Sequence, residues 1–148
     1  LTHELENLIK NNRDLLHLTN EGSGKHAIYY SIKNGHLEST LFLHRNGQAI
    51  PDILPICSRT KEPEKLWIFF KELNSILKIG DKQFEENVFN KLKINCYDRN
   101  DLSGLKELLD IEGYNDWGFI LKEYRNYHPN NLKASFIRDI TLQYLLDE

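Results

Sequence analysis

Methionine is absent from all 148 residues, the initiator included, so the expectation is a fragment excised from a longer protein. Cysteine is nearly absent. Cys57 and Cys96 have no CxxC spacing and sit among apolar residues, which excludes a disulfide framework and suits free, buried thiols in a reducing compartment. No apolar run approaches the ~20 residues that cross a bilayer. The opening LTHELENLIKNN is acidic and amphipathic rather than a signal peptide, so no membrane insertion is expected. A positive surplus is missing as well. Nineteen Lys and Arg face 22 Asp and Glu, a net charge of −3, and nucleic acid is a poor partner for such a chain unless a local patch supplies the field. Period-two alternation is missing and the β-branched residues are dispersed, which excludes a confident strand. No Gly/Ser linker divides the chain, whose length is that of one domain able to bury a sizeable core. Alanine is scarce while Asn and Lys are plentiful, a bias typical of AT-rich genomes.

What is there is helical periodicity. THELENLIKNN spaces Leu5, Leu8 and Ile9 on one face, HAIYYSIKN does so with Ile28 and Ile32, and HLESTLFLHRN with Leu37, Leu41 and Phe42. AIPDILPICSRT, EPEKLWIFFKELNSIL, KQFEENVFNKLKINCY, NDLSGLKELLDI, YNDWGFILKEYRNY and NNLKASFIRDITLQYLLDE continue the series. Helix pairs are expected to meet at Asn34-Gly35, at Lys61-Glu62 before Pro63, at Arg99-Asn100 and near His128-Pro129. Those junctions lie 27, 38 and 29 residues apart, and the first and third differ by 65, close to twice the ~33-residue period of a helix-turn-helix solenoid. Gly35 suits the positive φ of a tight turn between antiparallel helices, and Gly47 the C′ position of the second helix.

GKHAIYYSIKNGHLESTLFLHRNG, Gly24 to Gly47, resembles the ankyrin repeat: Gly24 at the β-turn, the helix-ending Gly35-His36, Leu37-Glu38 opening the second helix, and the terminal Asn46-Gly47. His26-Ala27-Ile28-Tyr29 stands where that family has Thr-Pro-Leu-His, and Ser39-Thr40 where it has Ile-Val. RNDLSGLKELLDIEG resembles the second half of a repeat, and LTHELENLIKNNRDLLHLTNEG the second helix of a preceding unit. LKIGDK, Leu77 to Lys82, reads as a lengthened loop. The resemblance implies an all-α fold, a short solenoid of antiparallel helix pairs over residues 1–148, closed by an irregular C-terminal helical extension. It further implies that His36 bonds the backbone at its turn, and that partners dock on the concave face.

Motifs that carry chemistry fail on inspection. EGSGKH has Thr19 and His26 where a phosphate loop needs Gly and Ser or Thr, and no strand precedes it. His3 lacks a second histidine at i+4, where Asn7 stands, and the six histidines form no ligand cluster with the cysteines. Cys57 or Cys96 could pair with His26, His36, His44 or His128 as a nucleophile, but both fall on helices expected to be packed, where Cys behaves as a small hydrophobe. Trp67, Trp117, Phe69, Phe70 and Phe119 read as core between units rather than a ligand box. No catalytic residue, cofactor or metal is expected within this chain.

Binding is therefore the expected function, since fold alone supplies none. In the resembled family the residues just before the helix-ending glycine face the concave side. Carried through the junctions, that position falls on Lys33 and Asn34, Thr60 and Lys61, Asp98 and Arg99, and Tyr127 and His128, with Ser23 and Lys25 on the turn beside them. Lys33, Lys61 and Arg99 would form a basic stripe for an acidic helix or tail, with Tyr127 as aromatic anchor. The expected protein is a monomeric protein-protein interaction module whose partner is another protein. The degenerate repeats of the resembled kind, together with the AT-rich composition, imply an effector of an intracellular bacterium, working in the cytoplasm or a host cytosol. The competing expectation is a targeting or regulatory domain of a larger enzyme whose catalytic part lies outside this chain.

Overall fold

The computed structural model describes residues 2–11, 18–19, 22, 24–114, 116–127 and 133–147, and all secondary structure among them is helical apart from one isolated bridge between Thr19 and His26. The helices are α1 (Thr2–Asn11), α2 (Ala27–Lys33), α3 (Leu37–Arg45), α4 (Leu54–Arg59), α5 (Pro63–Leu77), α6 (Lys82–Arg99), α7 (Leu102–Ile111), α8 (Trp117–Tyr127) and α9 (Ala134–Asp147).

Their ends follow local chemistry. Gly35 and Gly47 take φ of 69° and 104°, so α2 and α3 stop where glycine alone enters the left-handed region without cost. Asp81 caps α6 by accepting the Phe84 amide at 2.9 Å, and Asp101 caps α7 by accepting the Gly104 amide at 2.9 Å. A side chain at position 104 would collide with that cap carboxylate. Pro63 opens α5 at its first turn, where its missing N–H is harmless.

Helix α4 is much shorter than the stretch AIPDILPICSRT suggested, because two prolines, Pro51 and Pro55, confine it to the six residues Leu54–Arg59. The connection at Leu77 to Lys82 is also shorter than expected. Only Lys78 to Asp81 separate α5 from α6, and buried Asn74 holds them, donating to the Gly80 carbonyl and the Glu85 carboxylate and accepting the Gly80 amide.

The odd-numbered helices form a row. Helices α1, α3, α5, α7 and α9 touch in succession, while α4 packs on α6 and each of the pairs α2/α3, α6/α7 and α8/α9 is in contact. Helix α5 also packs against α6. The core is continuous and aromatic: Trp67 lies against Phe70 and Phe89, and Tyr97, Tyr124 and Phe136 join α6, α8 and α9. Trp67, Trp117, Phe69 and Phe70 are buried, whereas Phe119 is 51% exposed, because it lies on the face of α8 opposite Ile120 and Tyr124.

The α2–α3 turn is tied by groups other than the His36 ring. That ring is exposed and caps nothing, while the His36 carbonyl accepts both the Thr40 amide and, at 2.7 Å, the Thr40 hydroxyl. Thr40 Oγ1 also lies 2.7 Å from Ser31 Oγ, a buried hydroxyl pair between the two helices, and buried Gln48 accepts the Ile28 amide at the start of α2.

A second tie crosses the odd row. Glu112 Oε1 accepts from Lys71 Nζ at 2.8 Å and from the Trp67 indole at 2.9 Å. The Lys71 hydrogen bond, helped by Trp67 and opposed by partial burial, holds the Glu112 carboxyl below its ordinary range. A depressed folded pKa means that the folded state favours the carboxylate. The stability it contributes is complete above the usual ~4.3 and is lost as pH falls through the folded value. Urea unfolding at a series of pH values should show Glu112→Gln to be less stable than the native chain at neutral pH, with the gap closing as pH drops. A pH-independent gap would mean that the carboxylate charge contributes nothing.

Candidate partner-binding groove

Two open depressions meet where α2 ends and α4 passes into α5. The larger, of about 570 Å³, is lined by Tyr29, Lys33 and Asn34 from the α2 side and by Ile56 and Arg59 through Glu62 from the other. The smaller, of about 220 Å³, shares Lys33, Asn34, Thr60 and Glu62 and adds Gly35, Lys65, Leu66 and Phe69. Helical spacing builds the first wall: Tyr29 and Lys33 are one turn apart, and Lys25, just before the helix, places its ammonium 5.3 Å from the Tyr29 ring centre. The opposite wall is the α4–α5 junction, where Thr60 Oγ1 accepts the Glu62 amide at 3.1 Å.

The floor is apolar and the rim is cationic. Ile56, Leu66 and Phe69 are buried beneath, while Lys33, Arg59, Lys61 and Lys65 are exposed around them. The one carboxylate in the lining, Glu62, is matched by Lys65 at 3.2 Å. Among the described residues Lys33, Arg59 and Lys61 make no ion pair. A chain of net charge −3 thus gathers four cations against one carboxylate around a single groove.

Of the residues expected on the binding face, Lys33, Asn34, Thr60 and Lys61 come together here, and Lys25 adjoins them through Tyr29. Asp98 and Arg99 do not line the groove. Arg99 Nε donates to Asn95 Oδ1, its Nη2 lies 3.1 Å from Asp101, and the Asp98 carbonyl accepts Lys133 Nζ at 2.7 Å. The third rung is spent on holding the end of α6. Ser23, His128 and the Tyr127 side chain lie outside the described residues. Arg59 and Tyr29 were not expected in the site. Tyr29 carries a signal in its i, i+4 spacing to Lys33, but Arg59 joins the rim only because α4 stops beside it.

Neither thiol is poised for chemistry. Cys57 and Cys96 are free and fully buried. Burial, seconded by Asp52 for Cys57 and by Asp101 for Cys96, pushes both up to about 12, so each is a neutral thiol at physiological pH rather than the nucleophilic thiolate. Among the described residues no three His, Cys, Asp or Glu side chains are grouped to hold a metal ion, and no helix is long and apolar enough to cross a membrane. Compared with known proteins, the chain matches no family model, no curated protein and no solved structure.

Proposed function

We propose that this chain is a protein-interaction module, a short stack of antiparallel helix pairs of the ankyrin-repeat kind, which holds an acidic segment of a partner protein in the groove between α2 and the α4–α5 junction. The observation that carries the reading is the unbalanced rim of Lys33, Arg59 and Lys61 over the apolar floor of Ile56, Leu66 and Phe69. Alternating acidic and apolar side chains would satisfy both at once, the acidic ones steering the encounter and the apolar ones displacing water from the floor. Support for the stack comes from the row of odd-numbered helices and from positive φ at Gly24, Gly35 and Gly47, where the resembled repeat turns. The α1·α3 contact also fits α1 as the second helix of a preceding pair. A reducing cytosol, where Cys57 and Cys96 remain thiols, is the setting that fits.

The test uses a labelled peptide of alternating Glu and Leu and its Gln-for-Glu counterpart, read by fluorescence anisotropy. The acidic peptide should bind saturably and more weakly as salt rises. Lys33→Glu, Arg59→Glu and Lys61→Glu together should weaken it about tenfold or more, three rim charges at roughly 0.5 kcal/mol each, with the melting temperature nearly unchanged. Equal binding of both peptides, or undiminished binding by the triple variant, would remove the groove from consideration.

A further inference from the structure

A second cleft, of about 220 Å³, lies between α6 and α8 and is closed on one side by Leu109 and Tyr114. It differs in kind from the cationic groove. Its walls are aromatic: Phe89 is buried and stacks on Tyr114 at 6.2 Å, while Tyr114 and Phe119 are each 51% exposed. Its charged groups are Glu86, Glu123 and Lys93.

Lys93 is the informative residue. Its side chain is only 7% exposed, yet its ammonium sits 2.9 Å from Glu123 Oε2 and 5.4 Å from the centre of the Phe89 ring. The inner wall of the cleft therefore already holds one cation by a carboxylate and an aromatic face, the two groups that stabilise a desolvated cation. The mouth repeats that pair, with exposed Glu86 and the half-exposed rings of Tyr114 and Phe119. Since Lys93 neutralises only one of the two carboxylates, the cleft keeps a net negative charge.

From this we infer that the α6–α8 cleft receives an arginine side chain from a partner protein. A volume of 220 Å³ takes one large side chain and not a length of chain. Guanidinium is planar and more weakly hydrated than ammonium, so it lies on an exposed ring while its donor fork reaches a carboxylate. A ligand carboxylate seeking Lys93 would approach beside Glu86 and Glu123, both of like charge. An apolar side chain would desolvate Glu86 with nothing in return. The cleft shares no lining residue with the acidic-segment groove and is independent of it.

Amide chemical shifts of the full chain during titration with Nα-acetyl-arginine methylamide provide the test, with the citrulline, phenylalanine and glutamate analogues titrated in parallel. Only the arginine probe should give saturable shifts, centred on Tyr114, Phe119 and Glu123. Glu86→Gln with Phe119→Ala, both at exposed positions that leave the Lys93–Glu123 pair intact, should raise its Kd about tenfold without moving the melting temperature. A citrulline response equal to that of arginine, a stronger response to phenylalanine or glutamate, an unaltered Kd in the double variant, or no saturable shift would each overturn the assignment.

Discussion

Trp67→Ala is expected to cost on the order of 3–5 kcal/mol, the range for truncating a large aromatic in a packed core. Trp67 is 3% exposed and lies 6.2 Å from Phe70 and 4.9 Å from Phe89, ring centre to ring centre. It sits between α5 and α6, since Phe89 belongs to α6 while Trp67 and Phe70 belong to α5. Its indole N–H also reaches Glu112 on the α7 side, 2.9 Å away, and the Lys71 ammonium lies 5.6 Å from its ring centre. Truncation therefore opens a cavity among rigid neighbours and removes one of two donors to Glu112. Trp67→Phe retains much of the volume and loses the N–H, so it should cost about 1–2 kcal/mol. Urea unfolding of the two variants separates packing from hydrogen bonding. A loss below about 1 kcal/mol for the alanine variant would mean that α5 and α6 are held together by contacts other than those of Trp67.

Local chemistry explains which parts of this architecture can be read from the chain. Gly35 and Gly47 announce their turns because no other residue reaches their φ cheaply, and Asp81 and Asp101 stand one residue ahead of the helices they cap. Lys33 closes α2 and Lys61 lies in the α4–α5 connection, so helix boundaries alone place both at the junctions that line the groove. Arg99 occupies the same kind of position, yet it turns inward to Asn95, a choice made by a tertiary contact that no local spacing reveals. Phe119 illustrates the other limit. On a helix with apolar residues around much of its circumference, Trp117, Ile120 and Tyr124 take the buried face and leave Phe119 outside, a competition that composition does not decide.

Asn95 couples the fold to the groove, and its loss should be nearly as costly as that of Trp67. The side chain is buried, and its Nδ2 donates to the Cys57 carbonyl at 2.7 Å and to the Thr60 carbonyl at 2.9 Å, while its Oδ1 accepts from Arg99 Nε. Cys57 and Thr60 lie at the end of α4, where the last carbonyls of a helix lack partners within the helix. One amide on α6 thus fastens a six-residue helix that cannot hold itself, and with it the Thr60–Glu62 wall of the groove. Asn95→Ala strands two carbonyls and should cost about 2–6 kcal/mol at ~1–3 kcal/mol for each buried unsatisfied group. Asn95→Asp keeps size and shape but replaces the donor with a charged acceptor facing both carbonyls, so it should cost at least as much although Arg99 keeps its partner. Peptide binding in the groove should fall in both variants, even though Asn95 lines none of it, because the α4–α5 wall loosens. If Asn95→Asp unfolds at the native urea concentration, the two donated hydrogen bonds do not hold α4, and the groove owes its shape to the packing of Ile56 and Cys57 alone.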